Sequence, residues 1–517
     1  MTLGPYYITT PIYYVNDKPH IGHAYTSVAC DVIARFMRLC GREVFFLTGT
    51  DEHGQKVEKS AANAGIPPQA FVDEVSEHFR HMVDILKLSN DDFIRTTELR
   101  HIAATQAIWK KLEASGDIYL DSYSGWYSVR DEAFYAESEL VNGKAPTGAD
   151  VEWVEEPSYF FRLSQWQERL LAFYEQNPDF ILPQTRRNEV ISFVKGGLKD
   201  LSISRTTFRW GIPVPGDEKH IMYVWLDALT NYLTAVGYPE ESADSFKTYW
   251  PASLHMVGKD ILRFHAVYWP AFVMSAGLLP PKRVFAHGWW TIEGEKMSKS
   301  LGNVVAPEHL IEKYGLDQTR YFLMREVPFG NDGNFSRQLL VERINSDLSN
   351  NIGNLAQRTL SMIQKNCEGR VPNPNLAPNR PQDRDILELV QVTMPQTPEN
   401  VLDSIEKCRF NELITSILTM ASAANEYIDR EAPWKQKKES PNDMQATLYH
   451  LAEAIRCIAI MLQPFIPDSA GKLLDQLAIP SDQRLFKHLT KEFALKPGTP
   501  LPAPEVIFPR FTAEEGA

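Results

Sequence analysis

Tyr6-Tyr-Ile-Thr-Thr-Pro-Ile-Tyr13, Pro19-His-Ile-Gly-His23 and Glu43-Val-Phe-Phe-Leu-Thr-Gly49 follow one another near the start of the chain, and their reading decides the fold. The first segment is β-branched and aromatic, as a strand covered on both faces should be. A turn containing Pro19 and Gly22 leads into Ala24–Leu39, where Val28, Val32, Phe36 and Leu39 recur at helical spacing. The third segment reads as a second strand ending in a polar turn, Asp51-Glu-His53. Strand, helix and strand in that order call for a parallel sheet. Ligands of such sheets collect beyond the carboxyl ends of the strands, where these histidines and acids fall.

Working outward, the α/β texture of residues 1–118 resumes over 223–280 with Tyr223-Val-Trp-Leu-Asp-Ala228 and Leu254-His-Met-Val-Gly-Lys-Asp260. Between them, residues 119–222 carry short alternating runs and turn residues (Asn142-Gly143, Pro146, Gly148, Gly211, Pro213, Pro215, Gly216), which predict an inserted α+β domain. Residues 281–340 follow Val284-Phe-Ala-His-Gly288 with a lysine-bearing loop. From 341 to 517 the character is helical, with Ile344, Leu348, Ile352 and Leu355 forming one apolar stripe and further helices expected over 383–396, 401–430 and 442–464. Pro372-Asn-Pro-Asn-Leu-Ala-Pro-Asn-Arg-Pro381 reads as a loop, and the Pro-rich tail 497–509 as an extended segment packing back on the body. The expected fold is α/β, a Rossmann-type parallel sheet split by an α+β insertion and followed by a helical bundle.

Lys and Arg number 53 against 66 Asp and Glu, a formal charge of −13, which excludes nucleic-acid binding by bulk charge and requires a local basic surface instead. No run of eighteen apolar residues exists to span a membrane. The start, Met1-Thr-Leu-Gly-Pro5, has neither the basic and apolar regions of a secretion signal nor an Arg-rich transit character. Cys30, Cys40, Cys367, Cys408 and Cys457 are scattered and never form Cys-x-x-Cys, so a reducing, cytoplasmic setting is expected, without disulfides or a cysteine zinc site.

His20 and His23 flank Gly22 at a helix start, where free amides and the positive dipole end favour an anion such as a polyphosphate. The ordinary alternative is that the two imidazoles merely cap the helix. Lys296-Met-Ser-Lys-Ser300, preceded by Glu293-Gly-Glu295, sets two lysines three apart on a glycine-flanked loop that can bracket a triphosphate; alone it would be a solvated basic loop. The histidine motif follows the first strand and the lysine loop the last, and a Rossmann sheet can bring such positions to one site.

These two motifs resemble the signatures of class I aminoacyl-tRNA synthetases. The stretches between them look like the methionyl branch: Thr9-Thr-Pro-Ile-Tyr-Tyr-Val-Asn16, Thr48-Gly-Thr-Asp-Glu-His-Gly54, Asp200-Leu-Ser-Ile-Ser-Arg205, Tyr223 to Ala228, and Gly258-Lys-Asp-Ile-Leu-Arg-Phe-His265. The resemblance implies an ATP-dependent ligase that forms methionyl-adenylate and then passes methionine to its tRNA. It makes His20, His23, Lys296 and Lys299 catalytic through charge stabilisation, without a covalent enzyme intermediate. Gly22, Gly258, Asp260 and Ser298 join them at ATP, with Asp260 on the ribose hydroxyls, and Mg²⁺ arrives with the nucleotide. For methionine it implicates Ile12, Tyr14, Trp225, Ala228, Leu229, Tyr232, Phe264, His265 and Trp269, with Asp51 on the ammonium group. An aromatic pocket suits a polarisable thioether, although Trp225, Leu229 and Tyr232 at helical spacing would otherwise read as plain core. Asn354 and Arg358, on one helix face, and Trp434 match anticodon-reading positions; edge hydrogen bonds and stacking are how single-stranded bases are read.

The chain departs from many family members in its insertion, where zinc knuckles are usual. Ser128 and Asp131 stand where cysteines would be, and Ala145 near another, so no structural zinc is expected and packing should hold the knuckle. The insertion is too short for an editing domain. The chain stops at Ala517 without a further C-terminal RNA-binding module, so a monomer is favoured. Asp51-Glu-His53 admits a metal reading, and Arg205 either a ligand contact or a structural salt bridge. Competing functions are a class I synthetase for another amino acid, a small-molecule nucleotidyltransferase without need of the bundle, and a catalytically inactive RNA-binding relative, which should have lost His20, His23, Lys296 or Lys299.

Overall fold

The computed structural model describes residues 4–15, 18–131, 133–135, 137–292, 295–296, 304–378 and 380–512. The chain divides into two compact units, one of Pro5–Cys30 with Val44–His287, the other of Met1–Gly4, Asp31–Glu43 and Gly288–Ala517.

The first unit is built on a seven-stranded sheet in the order Tyr13–Tyr14, Val44–Asp51, Tyr6–Thr9, Leu254–Gly258, Val284–His287 and Ile181–Leu182, with Asp92–Arg95 also paired to Val44–Asp51. Every pairing is parallel. Pro11 has no amide to give the ladder. The opening strand accordingly breaks, and its two halves pair with successive parts of one neighbour, Thr9 opposite Leu47 and Tyr13 opposite Thr50. Gly49 is fixed by close approach: a Cβ there would lie 2.0 Å from the Ile94 carbonyl oxygen. The sheet order reverses between Tyr6–Thr9 and Leu254–Gly258, and the crevice at their carboxyl ends is where a ligand is expected.

Ile181–Leu182 adds an edge strand beside Val284–Phe285 although it belongs to the stretch read as an insertion. Two residues are too few to show a period, but both are buried, and the helices Gln167–Gln176 and Gln184–Lys195 flank them. The insertion proper is an antiparallel sheet of Ala133–Tyr135, Ile118–Ser128, Glu152–Phe161 and Leu201–Ser202. Packing and hydrogen bonds both act in its knuckle, where Tyr127, Ala145 and Ala149 are buried and Trp126 meets Trp153 edge-on at 5.4 Å. The Asp131 carboxylate accepts hydrogen bonds from Thr147 Oγ1, from Tyr135 Oη at 3.0 Å and from Arg130 Nε at 3.3 Å, while the Asp131 amide reaches Ser128 Oγ at 3.3 Å. Asp131 thus links the strand ends of the knuckle to the loop carrying Thr147. Arg205 is buried within the same unit, bonded to Ser202 Oγ and the Ser204 carbonyl at 2.7 Å and lying 4.8 Å from the Tyr223 ring.

The second unit opens with a small sheet, Glu295–Lys296, Trp290–Ile292 and Gly333–Phe335, and is otherwise helical. The helix expected over 401–430 is two, Leu402–Glu406 and Phe410–Glu431, parted where Cys408 takes a left-handed φ of 59°. The one expected over 383–396 runs on from Arg384 to Asn400 through a π-helical stretch, Leu389–Thr393. Pro441–Leu462 is buried along almost its whole length. The Pro-rich tail packs back within this unit: the Phe511 amide donates to Asn345 Oδ1 at 2.8 Å, and Phe508 is buried against Gly353. Among the described residues, no helix is long and apolar enough to cross a membrane.

Candidate active site

His20 and His23 face each other at the start of the helix Ile21–Leu39, their rings 3.9 Å apart. The His20 amide donates to His23 Nδ1, and the Gly22 amide donates to His20 Nδ1, each at 3.1 Å. An amide can only donate, so both Nδ1 atoms accept and each neutral ring carries its proton on Nε2. Burial lowers the His20 imidazole below its usual value, against the raising effect of Asp260; burial and then His20 push His23 well below. Both rings are therefore neutral N–H donors at neutral pH. The capping hydrogen bonds occupy Nδ1 of each ring and leave Nε2–H as its donor, so capping does not use up the ring's donor capacity. Gly22 serves a different purpose from the ligand approach expected of it: a Cβ would sit 2.8 Å from His20 Cε1, so the space is taken by the imidazole.

Gly258 ends its strand and Asp260 follows in a short 3₁₀ turn, Lys259–Ile261. A Cβ on Gly258 would lie 2.5 Å from Asp260 Oδ1. Asp260 is exposed and close enough to His20 and to His265 to raise both imidazoles. His20, His23, Gly22, Gly258 and Asp260 thus gather at the sheet's switch point. Lys296 contributes its backbone to the small sheet of the second unit. Ser298 and Lys299 lie outside the described residues.

The predicted amino-acid pocket is assembled on the helix Val224–Thr234 and on Phe264–Ser275. Trp225 stacks on Phe264 with centroids 3.7 Å apart, and Ile12, Trp225 and Phe264 are half-buried against the core. Tyr232 Oη lies 2.7 Å from His265 Nε2, while His265 Nδ1 donates to the Ile261 carbonyl at 3.0 Å. That bond leaves Nε2 as acceptor of the Tyr232 hydroxyl, and burial lowers His265 to about 4. Ala228, Leu229 and Trp269 are fully enclosed, Trp269 meeting Tyr232 edge-on at 6.1 Å. The aromatic stripe is part of the core, with Trp225 and Phe264 at its partly exposed margin. Tyr14 stands in register with Asp51, which is buried at the end of its strand.

Two features gave no signal in the sequence, and a third was read differently there. Phe264–Tyr268 is a π-helical turn, a device frequent at functional sites. His255 stacks under Tyr232 at 4.1 Å and bonds Thr9 Oγ1 at 2.8 Å. Glu52 and His53 are committed elsewhere than to a metal: Glu52 accepts from Arg95 (2.7 and 3.0 Å), Thr50 (2.7 Å) and Thr97 (2.6 Å), and His53 reaches Asp227 at 2.6 Å.

In the second unit, Asn354 is exposed at the start of the helix Asn354–Asn366, and Arg358 lies one turn on. Arg358 pairs with Asp429 at 2.6 Å, and its guanidinium is 5.3 Å from the Trp434 ring centre. Ala432, at φ 45°, turns the chain sharply between Phe410–Glu431 and Pro433–Glu439, a left-handed conformation uncommon outside glycine. Trp434 is 43% exposed, leaving part of its ring open to solvent.

Two family models match the chain, tRNA synthetases class I (M) over residues 6–360 and the anticodon binding domain of methionyl tRNA ligase over 384–517. The methionine–tRNA ligase of Rickettsia felis is 60% identical over 98% of this chain and 99% of its own length. That of Mesorhizobium japonicum is 56% identical over the whole of both. Among solved structures, Mycobacterium tuberculosis methionyl-tRNA synthetase in complex with methionyl-adenylate superposes with a TM-score of 0.94 at 52% identity, covering 98% of this chain and 100% of that one. With matched models spanning both the sheet and the bundle, the chain belongs to the methionyl class I tRNA synthetases.

Proposed function

We infer that the chain charges tRNA with methionine in two steps. A methionine carboxylate oxygen attacks the ATP α-phosphorus and pyrophosphate leaves; a ribose hydroxyl of the tRNA acceptor end then attacks the adenylate carbonyl and AMP leaves. The observation that carries this reading is the pair of neutral imidazoles whose Nδ1 atoms are tied to amides, beside Asp260 at the sheet's switch point. Fixed N–H donors stabilise the negative charge that builds on the phosphate oxygens as phosphorus becomes five-coordinate, without reorganising during the reaction. Lys296, Ser298 and Lys299 hold the β- and γ-phosphates, and Mg²⁺, carried on those phosphates, neutralises their charge. Asp260 accepts from the ATP ribose. Asp51 binds the methionine ammonium group, and Ile12, Tyr14, Trp225, Ala228, Leu229, Tyr232, Phe264, His265 and Trp269 enclose the side chain. Asn354, Arg358 and Trp434 read the anticodon by edge hydrogen bonds and stacking. The chain works as a cytoplasmic monomer, with residues 119–222 as the insertion, 281–340 as the lysine loop and stem-contact region, and 341–517 as the anticodon domain.

Pyrophosphate–ATP exchange with each of the twenty amino acids tests this. Exchange with methionine alone, abolished in Lys299→Ala, is the expected result. Exchange with a different amino acid overturns the pocket assignment, and exchange with none overturns the activity.

A further inference from the structure

Asp227 stands in the first turn of the helix Val224–Thr234, and imidazoles occupy both its oxygens. His53 Nδ1 lies 2.6 Å from Oδ2, and His101 Nε2 lies 2.7 Å from Oδ1. All three side chains are buried. Burial alone would raise the Asp227 carboxyl, but the contacts with His53 and His101 outweigh it and hold it at about 2. An ionised carboxylate only accepts, so His53 donates from Nδ1 and His101 from Nε2. His101 Nδ1 also meets Thr234 Oγ1 at 3.1 Å, so this one ring is tied to both ends of the helix.

One end of this chain of bonds, His53, and its centre, Asp227, adjoin in sequence the two halves of the proposed amino-acid site, and His101 braces the centre from behind. His53 is two residues beyond Asp51, in a turn further fixed by the Glu52 bonds and by Trp210, whose indole N–H donates to the Glu52 carbonyl at 2.6 Å and whose ring meets His53 at 5.5 Å. Asp227 is two residues beyond Trp225, next to Ala228, and on the helix that carries Tyr232. A ligand gripped at its ammonium group by one element and at its side-chain end by another is selected by the distance between them.

We propose that the His53–Asp227–His101 chain sets the separation between Asp51 and the aromatic wall, and so acts as the positioning device that selects amino-acid length. The inference rests on the methionine-binding reading of Asp51 and Trp225. No catalytic role is assigned to the three residues, since none of them meets the phosphate-binding histidines.

Matched and mismatched amides provide the test. An asparagine amide can reproduce an Nδ1 donor and a glutamine amide an Nε2 donor. His53→Asn and His101→Gln should therefore keep the wild-type KM for methionine in pyrophosphate exchange. His53→Gln and His101→Asn should raise it roughly tenfold, the effect of one lost charge-assisted hydrogen bond. The KM for ATP should stay unchanged, and discrimination between methionine and the one-carbon-shorter homocysteine should fall. A partly unfolded preparation lowers kcat without moving KM, so the comparison survives a loss of stability. Equal rises in KM for ATP and methionine would assign the chain to general packing and overturn the proposal. Wild-type KM in the mismatched variants would also overturn it, provided Asp51→Asn raises KM; should Asp51→Asn leave KM alone too, the pocket reading itself has failed.

Discussion

Replacing Gly22 by alanine separates the placement of the two histidines from their chemistry, because it removes neither. The new Cβ would stand 2.8 Å from His20 Cε1 and 3.0 Å from Nδ1. Carbon atoms in contact prefer about 3.5–4.0 Å, so the ring must move by roughly 0.7 Å or swing away. Either movement strains the 3.1 Å bond from the Gly22 amide and the 3.9 Å ring contact with His23. His20 would then no longer be held in place by its Nδ1 bond. Loss of one preorganised donor to a developing oxyanion costs about 10²–10³ in kcat, or roughly 2.7–4 kcal/mol. Stability should move the other way, since alanine in a helix is favoured over glycine by up to ~1 kcal/mol. His20 is only partly buried, so its ring can leave without opening a cavity. The assay is methionine-dependent pyrophosphate exchange at saturating substrates, alongside a thermal melt. A Gly22→Ala protein that melts no lower than wild type yet exchanges within threefold of it would refute the assignment of His20 as a placed donor.

Trp434→Ala and Arg358→Ala should each raise the KM for tRNA in aminoacylation about tenfold or more, from the 1–3 kcal/mol that stacking a base contributes. Exchange without tRNA should be untouched, and the exposed Arg358–Asp429 pair should add less than ~1 kcal/mol to stability; a lowered exchange rate would sink the idea of a purely RNA-reading face. The buried imidazoles predict acid sensitivity. His265 titrates near 4 in the folded protein against an ordinary 6.5, so on acidification the unfolded chain takes the proton first. Its contribution to stability is whole above about pH 6.5 and is lost progressively down to about pH 4, by up to about 3 kcal/mol, with His23 and His255 acting in the same direction. Urea midpoints at pH 7.5 and 5 should therefore differ by less in His265→Gln than in wild type, and an equal difference would contradict this origin.

The parallel sheet and the position of its ligand crevice were legible because they are local: apolar strands, a helix at period 3.6, and polar residues at strand ends. The same holds for His20 and His23, three apart on one turn. What each does with its Nδ1 was not, since that follows from amides whose direction only the folded turn defines. Gly22 was read correctly as a residue needing space and incorrectly as to what fills it. The bonds of Asp227 escaped for a different reason: its partners lie 174 and 126 residues away, and nothing in a neighbourhood of sequence reports them. The knuckle shows the limit of reading by absence. The missing cysteines drew attention to Asp131, but its hydrogen bonds to Thr147 and Tyr135 depend on a loop closure that no spacing rule encodes.

The π-helical turn at Phe264–Tyr268 makes the pocket sensitive to counting. A π turn accommodates about one more residue than the α-helix it joins. Deleting a single residue there would let the segment close as an unbroken α-helix, with a satisfied backbone and no proline or glycine introduced. The cost would fall on the buried side chains His265, Ala266 and Val267, which would have to repack. Each residue of an α-helix advances by about 100°, so Phe264, on the Trp225 side, would rotate by that angle relative to Trp269, on the Tyr232 side. One insertion or deletion in this stretch is thus a change of register between two parts of the proposed amino-acid site, and related sequences aligned through it should be compared by register before they are compared by residue type.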